Sequence, residues 1–283
     1  MKLSILLLLA SLSMGNDSPV YTIKPTNTKS MYTQKLIDVV KNWTAGSADF
    51  CKASSLPHQI YIQGIKTPGR EYYVGFRKCM IVKAPLEKIM AAHDDIENYQ
   101  KLYPGFKEVK VVSKTAQESV LEWEKEIPVF FVPNIKYEIY YASDKSNPER
   151  TVYRYQFKKG ERLKFNDGIE VLEKKPDGTV AYSNYEFYEA DYGVALGIQA
   201  ASVEQVWKES AEGGYRSNFA LRFKSENPSW SFEKVNKEAE KLLEQVKERK
   251  IEYLDKWEQI IKWRSPPRVG IASLRVQRSN PHA

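Results

Sequence analysis

The sequence predicts an α+β fold in which about seven antiparallel strands are followed by a long helix. Segments rich in Tyr, Phe, Val and Ile recur between residues 107 and 189, and turn signals separate them. A helical pattern of apolar residues follows at 197–225, and a strand–helix unit precedes the strands at 72–92. Together these observations indicate a single main domain over residues 71–225.

The first fifteen residues have the layout of a signal peptide. Lys2 precedes an apolar run from Leu3 to Leu12, and the small residues Ser13 and Gly15 offer cleavage sites. The run is shorter than the roughly 20 apolar residues that a membrane-spanning helix needs. The sequence therefore predicts an exported protein, either periplasmic or secreted.

Residues 16–70 are predicted to form an N-terminal leader and a short helix. The polar stretch 16–30, which contains Pro19 and Pro25, indicates a mobile leader. Apolar residues at helical spacing predict a helix over 32–43, and the composition of 59–65 is compatible with a short strand.

The main domain begins with a strand over 72–83, which is rich in aromatic and β-branched residues. Pro85 then opens a helix over 86–92, since proline fits the first helical turn. Turn signals such as Asp177-Gly178 separate the later strands, because both residue types tolerate positive φ. The six later strands are predicted at 107–113, 119–127, 136–142, 150–157, 168–174 and 179–189.

Two helices are predicted after the strands. The first, at 197–225, contains Gly213-Gly214, which should loosen or kink it. The second is an amphipathic helix within 226–264; its apolar spacing favours packing on the domain over a dimerising coiled coil. The basic tail, 265–283, is predicted to be disordered.

Several stretches resemble the START-like superfamily of polyketide cyclases and lipid-transport proteins. Residues 82–89 (VKAPLEKI) are similar to its strand-to-helix entry, and 94–112 to its aromatic, Pro- and Gly-bearing turn. Residues 126–137 and 168–188 resemble its proline-containing loop and late hairpin. The resemblance implies a helix-grip fold, in which a curved antiparallel sheet wraps a long C-terminal helix, here with extra terminal helices. It also implies a cavity for a lipid or other hydrophobic small molecule.

One departure limits what the resemblance implies. Lipid-transfer members often carry Arg-Asp after the proline-containing loop, whereas this chain has Ile135-Lys136. No member-specific ligand contact is therefore carried over.

Strand alternation selects the side chains that are predicted to line this cavity. Tyrosine suits a pocket that holds an apolar body and hydrogen-bonds one head group, although ordinary cross-strand packing is the alternative. The predicted lining residues are Trp123, Tyr137, Ile139, Tyr141, Tyr153, Tyr155, Phe157, Tyr185, Phe187, Phe219 and Phe223. Phe130 and Phe131, which lie between two prolines, are predicted to form a cavity-mouth loop or else to fold onto the core.

No catalytic residue, metal site or cofactor is predicted. The three histidines are scattered, and no phosphate-binding or nucleophile motif is present. Arg154 and Glu186 are expected to face solvent, because their strand phase opposes the tyrosines. If they point inward instead, they could bind an acidic head group or act as a general acid pair. Cys51 and Cys79 form either a disulfide or buried thiols.

The formal net charge of +7 is spread among interspersed acids and bases, without a nucleic-acid-binding module. The predicted partner is therefore a hydrophobic small molecule or lipid, with transient membrane contact through the basic tail, and the predicted state is a monomer. Two alternatives remain: a cyclase, dehydratase or hydrolase that uses the same cavity, and a protein-interaction module.

Overall fold

The computed structural model describes residues 18–27, 30, 32–44, 47–48, 59–66, 73–126, 134–190, 200–245 and 248–254. The strands are β1 (Gln59–Lys66), β2 (Tyr73–Val82), β3 (Phe106–Lys114), β4 (Glu118–Lys125), β5 (Ile135–Asn147), β6 (Arg150–Gly160), β7 (Leu163–Lys174), β8 (Val180–Ala190) and β9 (Glu248–Leu254). The α-helices are α1 (Thr33–Lys41), α2 (Leu86–His93), α3 (Tyr99–Leu102), α4 (Ala200–Glu226) and α5 (Phe232–Gln245).

The described strands form one sheet in the order β3-β4-β5-β6-β7-β8-β2-β1-β9. Strands β3 to β8 follow one another in the sheet, and each is antiparallel to the next. Strand β2 pairs antiparallel with β8. The long helix α4 follows β8 and contacts β2 and α2. The predicted seven-strand helix-grip architecture is therefore confirmed.

The sheet curls strongly around its interior. Strand β8 is four strand positions from β4, which corresponds to about 19 Å in a flat sheet. Nevertheless, Nζ of Lys125 on β4 lies 3.8 Å from Oε1 of Glu186 on β8. The two strands therefore face each other across an enclosed concave side.

Both faces of the sheet are covered. The concave face, called the interior face below, packs against α2, α3, α4 and α5. The opposite, outer face packs against α1 and residues near Val20. As a result, most of β6 and β7 is buried on both sides.

Residues 18–27 lie along the outer face of the sheet, so the prediction of a mobile leader is wrong for this stretch. The side chain of Gln156 accepts a hydrogen bond from the backbone N–H of Lys24 and donates one to its carbonyl, both at 2.9 Å. Arg154 donates to the carbonyls of Pro19 and Thr22. Arg154 is therefore buried beneath this segment, contrary to the predicted solvent exposure, and burial lowers its pKa to about 10.

The long helix α4 runs without interruption through Gly213-Gly214. Helix α5 packs back on the domain through Val235, Ala239 and Leu243, as favoured over a dimerising seam. No helix in the described part of the chain is long and apolar enough to cross a membrane.

The prediction of a C-terminal helix is wrong over residues 248–254. Residues 248–254 form β9, which pairs in parallel with β1 from Gln59↔Glu248 to Ile65↔Leu254. Because the backbone hydrogen bonds of β1 are available along its open side, pairing outweighs the helical preference of this charged segment. Residues 255–264 lie outside the described part.

Candidate functional site

Most of the predicted lining residues come together on the interior face. On β5 and β6, Ile139 pairs with Phe157 and Tyr141 with Tyr155, so their side chains share one side of the sheet. Residues of this set that are buried in the interior cluster are Trp123, Tyr137, Ile139, Tyr141, Tyr153, Tyr155, Phe157 and Phe219, and Phe223 packs against it partly buried.

Tyr185 and Phe187 lie on the outer face, so their prediction as cavity lining is wrong. The ring of Phe187 stacks on Tyr32 with centroids 4.0 Å apart, and Trp43 meets Tyr185 edge-on at 6.3 Å. The two residues share a face as expected, but it is the face beneath α1. Alternation could not identify the side, because β8 is buried on both.

Trp123 stands at the centre of the interior aromatic cluster. Its ring centroid lies 5.0 Å from Phe106, 5.5 Å from Tyr155, 5.8 Å from Tyr137 and 6.1 Å from Tyr99. These separations are typical of aromatic packing. A ligand that enters between the sheet and α4 must therefore displace aromatic side chains.

A hydrogen-bonded group of polar side chains, called the central cluster below, is buried beside these rings. His93 Nε2 is hydrogen-bonded to Glu170 Oε2, and His93 Nδ1 lies 2.8 Å from Tyr141 Oη. Oε1 of Glu170 accepts hydrogen bonds from Tyr182 Oη at 2.8 Å and Asn184 Nδ2 at 3.3 Å. The cluster joins an imidazole to a carboxylate in a site closed to solvent.

Burial alone would raise the pKa of Glu170. The charge interaction with His93 and the hydrogen bonds from His93 and Tyr182 lower this pKa, and together they outweigh burial. The net result is a pKa below the ordinary glutamate value, which favours the carboxylate form.

Lys78 extends the polar region along β2. It is opposite Asn184 on β8, and a Cβ at Gly214 of α4 would overlap its ammonium group. Burial lowers the pKa of Lys78, while the carboxylates of Glu186 and Glu170 partly offset that effect. Gly214 thus leaves the space in which this ammonium lies.

A second group, called the strand-end cluster below, lies where β4 ends and β5 begins. Asn166 accepts a hydrogen bond from Tyr137 Oη and donates one to Glu186 Oε1, both at 2.8 Å. Lys125 Nζ lies near this carboxylate, and burial lowers its pKa. Since Asn166 and Glu170 are four residues apart on β7, the clusters are separated by about 13 Å along the strand. Because Glu186 accepts a hydrogen bond from Asn166 and lies beside Lys125, its side chain faces the interior, contrary to the prediction.

Several further buried polar atoms on this side make no hydrogen bond with any described residue. They include Tyr103 Oη, Trp123 Nε1, Asn184 Oδ1 and Asn218 Nδ2. Buried polar atoms in native proteins are nearly always hydrogen-bonded to protein or to ordered water. Buried atoms of this kind can pair with ordered water or with the polar groups of a bound molecule.

A surface pocket of about 280 Å³ lies elsewhere, at the start of α2. Its lining residues are Pro85, Leu86, Glu87, Glu149, Lys174, Lys175, Gly178 and Val180. It contains none of the predicted lining residues and is bordered by charged side chains, so it is not the cavity that the sequence predicts.

No protein-family model and no curated protein matches this chain. Solved structures with similar folds include a fragment of the STAR-related lipid transfer protein from Xanthomonas axonopodis, at 14% identity and a TM-score of 0.46, over 57% of this chain and 90% of that one. A START superfamily protein from Mycobacterium smegmatis has 13% identity and a TM-score of 0.43, over 55% and 99%. The Zhui aromatase/cyclase from Streptomyces sp. R1128 has 12% identity and a TM-score of 0.41, over 59% and 93%.

The element order of this chain, a strand and a helix followed by six antiparallel strands and a long helix, matches the helix-grip architecture predicted from the sequence. Cys79 is fully buried and disulfide-bonded. Cys51, Phe130 and Phe131 lie outside the described residues, so the pairing of Cys51 with Cys79 and the mouth loop stay predictions. Among the described residues, no group of three or more His, Cys, Asp or Glu side chains is placed to hold a metal ion.

The inward-facing charges are what sequence reasoning missed. Glu170 is in phase with the buried Leu172, and Lys78 with the buried Met80. A charged residue in phase with apolar neighbours on a two-sided strand is the signal that could have identified both.

Proposed function

We propose that this chain is an exported START-like protein that binds or carries a lipid or other hydrophobic small molecule between the sheet and α4. The interior face carries the proposal, because aromatic side chains there surround buried polar atoms without described partners. Aromatic surface suits an apolar body, and a few isolated donors and acceptors suit its polar groups.

The unpartnered atoms also give binding a driving force. A buried polar group without a hydrogen bond costs about 1–3 kcal/mol, and a ligand that pairs with it removes this cost. Tyr103 packs on Tyr99 with ring centroids 4.2 Å apart, so binding there requires rearrangement of the pair. We therefore expect ligand binding to be coupled to side-chain motion in the interior.

The direct test is to purify the mature protein, extract it with organic solvent and analyse the extract by mass spectrometry. A panel of neutral lipids is titrated in parallel against the protein loaded with Nile red, an uncharged apolar dye. Recovery of a defined apolar molecule, or displacement of the dye, supports the proposal. An empty extract together with no displacement by any lipid contradicts it.

Export is tested separately by expressing the full-length chain in a bacterium and fractionating the cells. The mature N-terminus is expected after Ser13 or Gly15, and a non-reducing peptide map is expected to contain a Cys51–Cys79 peptide. Cytoplasmic retention with an intact N-terminus would contradict export without affecting the binding proposal.

The central cluster favours one alternative, an acid–base enzyme that acts on the same ligand. Both ring nitrogens of His93 are engaged, so a proton would pass through Tyr141: as its hydroxyl takes a proton from a bound molecule, it gives its own to the imidazole, and the return step reverses this. If this holds, the recovered ligand is converted on incubation with the protein, and His93→Gln stops conversion while binding persists. A ligand that stays chemically unchanged with the native protein excludes the alternative.

A further inference from the structure

The ammonium group of Lys125 is enclosed by aromatic rings at the strand-end cluster. Nζ lies 5.2 Å from the ring centroid of Phe106, 5.5 Å from Tyr188, 5.7 Å from Trp123 and 5.9 Å from Tyr137. These rings come from β3, β4, β5 and β8, so the curled sheet brings them together around one cation. The Lys125 side chain as a whole is 23% exposed.

Lys125 has no hydrogen-bond acceptor among the described residues. An ammonium group carries three donors, but the nearest acidic atom, Glu186 Oε1, lies at 3.8 Å, beyond hydrogen-bond distance. That oxygen already accepts a hydrogen bond from Asn166. Lys125 Nζ makes no hydrogen bond with any residue that the structure describes, although such a partly buried cation normally has acceptors.

Trp123 adds a second donor of the same kind. Its Nε1–H is buried and has no acceptor among the described residues, and its ring is one of those around Lys125. The two residues are two positions apart on β4 and therefore lie on the same face of the strand. Donors without described acceptors on one face match a group that only accepts hydrogen bonds. A carboxylate or phosphate ester has this property, whereas an alcohol or amine supplies donors of its own.

We propose that Lys125, with Trp123 beside it, is the head-group site for an anionic amphiphile whose apolar chain lies along the interior aromatic face. This inference rests on the proposed function and specifies the ligand class. The anion lies at the strand-end cluster, about 13 Å along the strand from the central cluster, and the chain extends from there toward Tyr155 and Tyr153.

The experiment compares three probes that share a ten-carbon chain: decanoate, decyl phosphate and 1-decanol. Each displaces Nile red from the mature native protein and from Lys125→Met, which retains side-chain length without charge. Lys125→Arg preserves the charge. Lys136→Met is the matched control, because Lys136 is half exposed and pairs with Glu122 on the outside of the neighbouring strand.

We expect Lys125→Met to weaken binding of the anionic probes about 10-fold while 1-decanol binding is unchanged. Lys125→Arg and Lys136→Met should retain the preference for anions. A preference for decanoate over decyl phosphate, or the reverse, identifies the head group. Urea unfolding shows whether each variant is folded. If Lys125→Met does not fold, the test is decided by whether the native protein and Lys125→Arg prefer the anionic probes over 1-decanol.

Two outcomes would overturn the head-group proposal while leaving the proposed binding function intact. Native protein that binds 1-decanol as well as it binds the anions contradicts the head-group site but retains the hydrophobic pocket. Equal losses for all three probes in Lys125→Met indicate a packing role only. If no probe displaces the dye, the head-group proposal fails, and the lipid panel then decides whether the binding function fails with it.

Discussion

Two tyrosine hydroxyls of the interior face differ in their hydrogen bonding. Tyr137 Oη donates to Asn166 Oδ1, whereas Tyr103 Oη has no partner among the described residues. Tyr103→Phe should therefore raise the free energy of unfolding of the ligand-free protein by about 1 kcal/mol and weaken ligand binding. Tyr137→Phe should lower it by a similar amount. Urea unfolding measures both, and a loss of stability in Tyr103→Phe would contradict the interpretation.

The Glu170 carboxylate should make stability depend on acid pH. Its pKa in the folded protein lies below the ordinary value of about 4.3, so its contribution is present above that value. The contribution is lost as the pH falls through the folded pKa, because the protonated form must then be accommodated. Glu170→Gln should lower the free energy of unfolding by about 3 kcal/mol at pH 7. The difference in unfolding free energy between this variant and the native protein should become smaller in acid.

The control for this measurement is Glu87→Gln, because the Glu87 side chain is 73% exposed. We expect that change to leave the free energy of unfolding nearly unaltered at both pH values. A pH-independent difference between native protein and Glu170→Gln would show that the carboxylate is not the stabilising species.

At the level of elements, the two adjacent glycines of α4 should respond oppositely to alanine. Nothing lies within 4 Å of a Cβ at Gly213, so Gly213→Ala should add about 0.5–1 kcal/mol through helix propensity. A Cβ at Gly214 overlaps the Lys78 ammonium and must push it aside. Gly214→Ala should therefore be less stable than Gly213→Ala in thermal unfolding, and equal stabilisation by both changes would be inconsistent with this geometry.

The strands were predictable, but the face that each residue occupies was only partly so. Alternation placed the β5 and β6 aromatics together, because their partners across the sheet are aromatic as well. It failed for Tyr185 and Phe187, since a strand covered on both sides carries apolar residues in both phases. It also missed Lys78 and Glu170, whose charges are tolerated inside only because tertiary partners surround them.

The C-terminal error has a different origin. Residues 248–254 have a composition that suits a helix locally, and the decision between helix and strand depends on β1. Pairing with a segment so distant in sequence leaves no local signal. The same holds for the segment 18–27, which Arg154 and Gln156 hold on the outer face.

For the whole molecule, the buried tyrosines predict unfolding in alkali. Burial raises the pKa of seven of them well above the ordinary value, namely Tyr99, Tyr103, Tyr137, Tyr141, Tyr153, Tyr155 and Tyr182. Above about pH 10 the unfolded chain loses these protons while the folded chain keeps them, so stability falls as pH rises. Absorbance of tyrosinate should therefore rise in two stages, first for exposed tyrosines and then together with loss of circular dichroism. A single stage near pH 10 with structure retained would contradict this burial.

The parallel pairing of β1 with β9 has a consequence for the newly made chain. Domains fold as units from the N-terminal side during synthesis, and an unpaired strand edge is a template for pairing with other chains. Strand β1 can be in place beside β2 long before residues 248–254 are made. Until then the outer edge of β1 is open to pairing with a second chain, which favours aggregation during that interval.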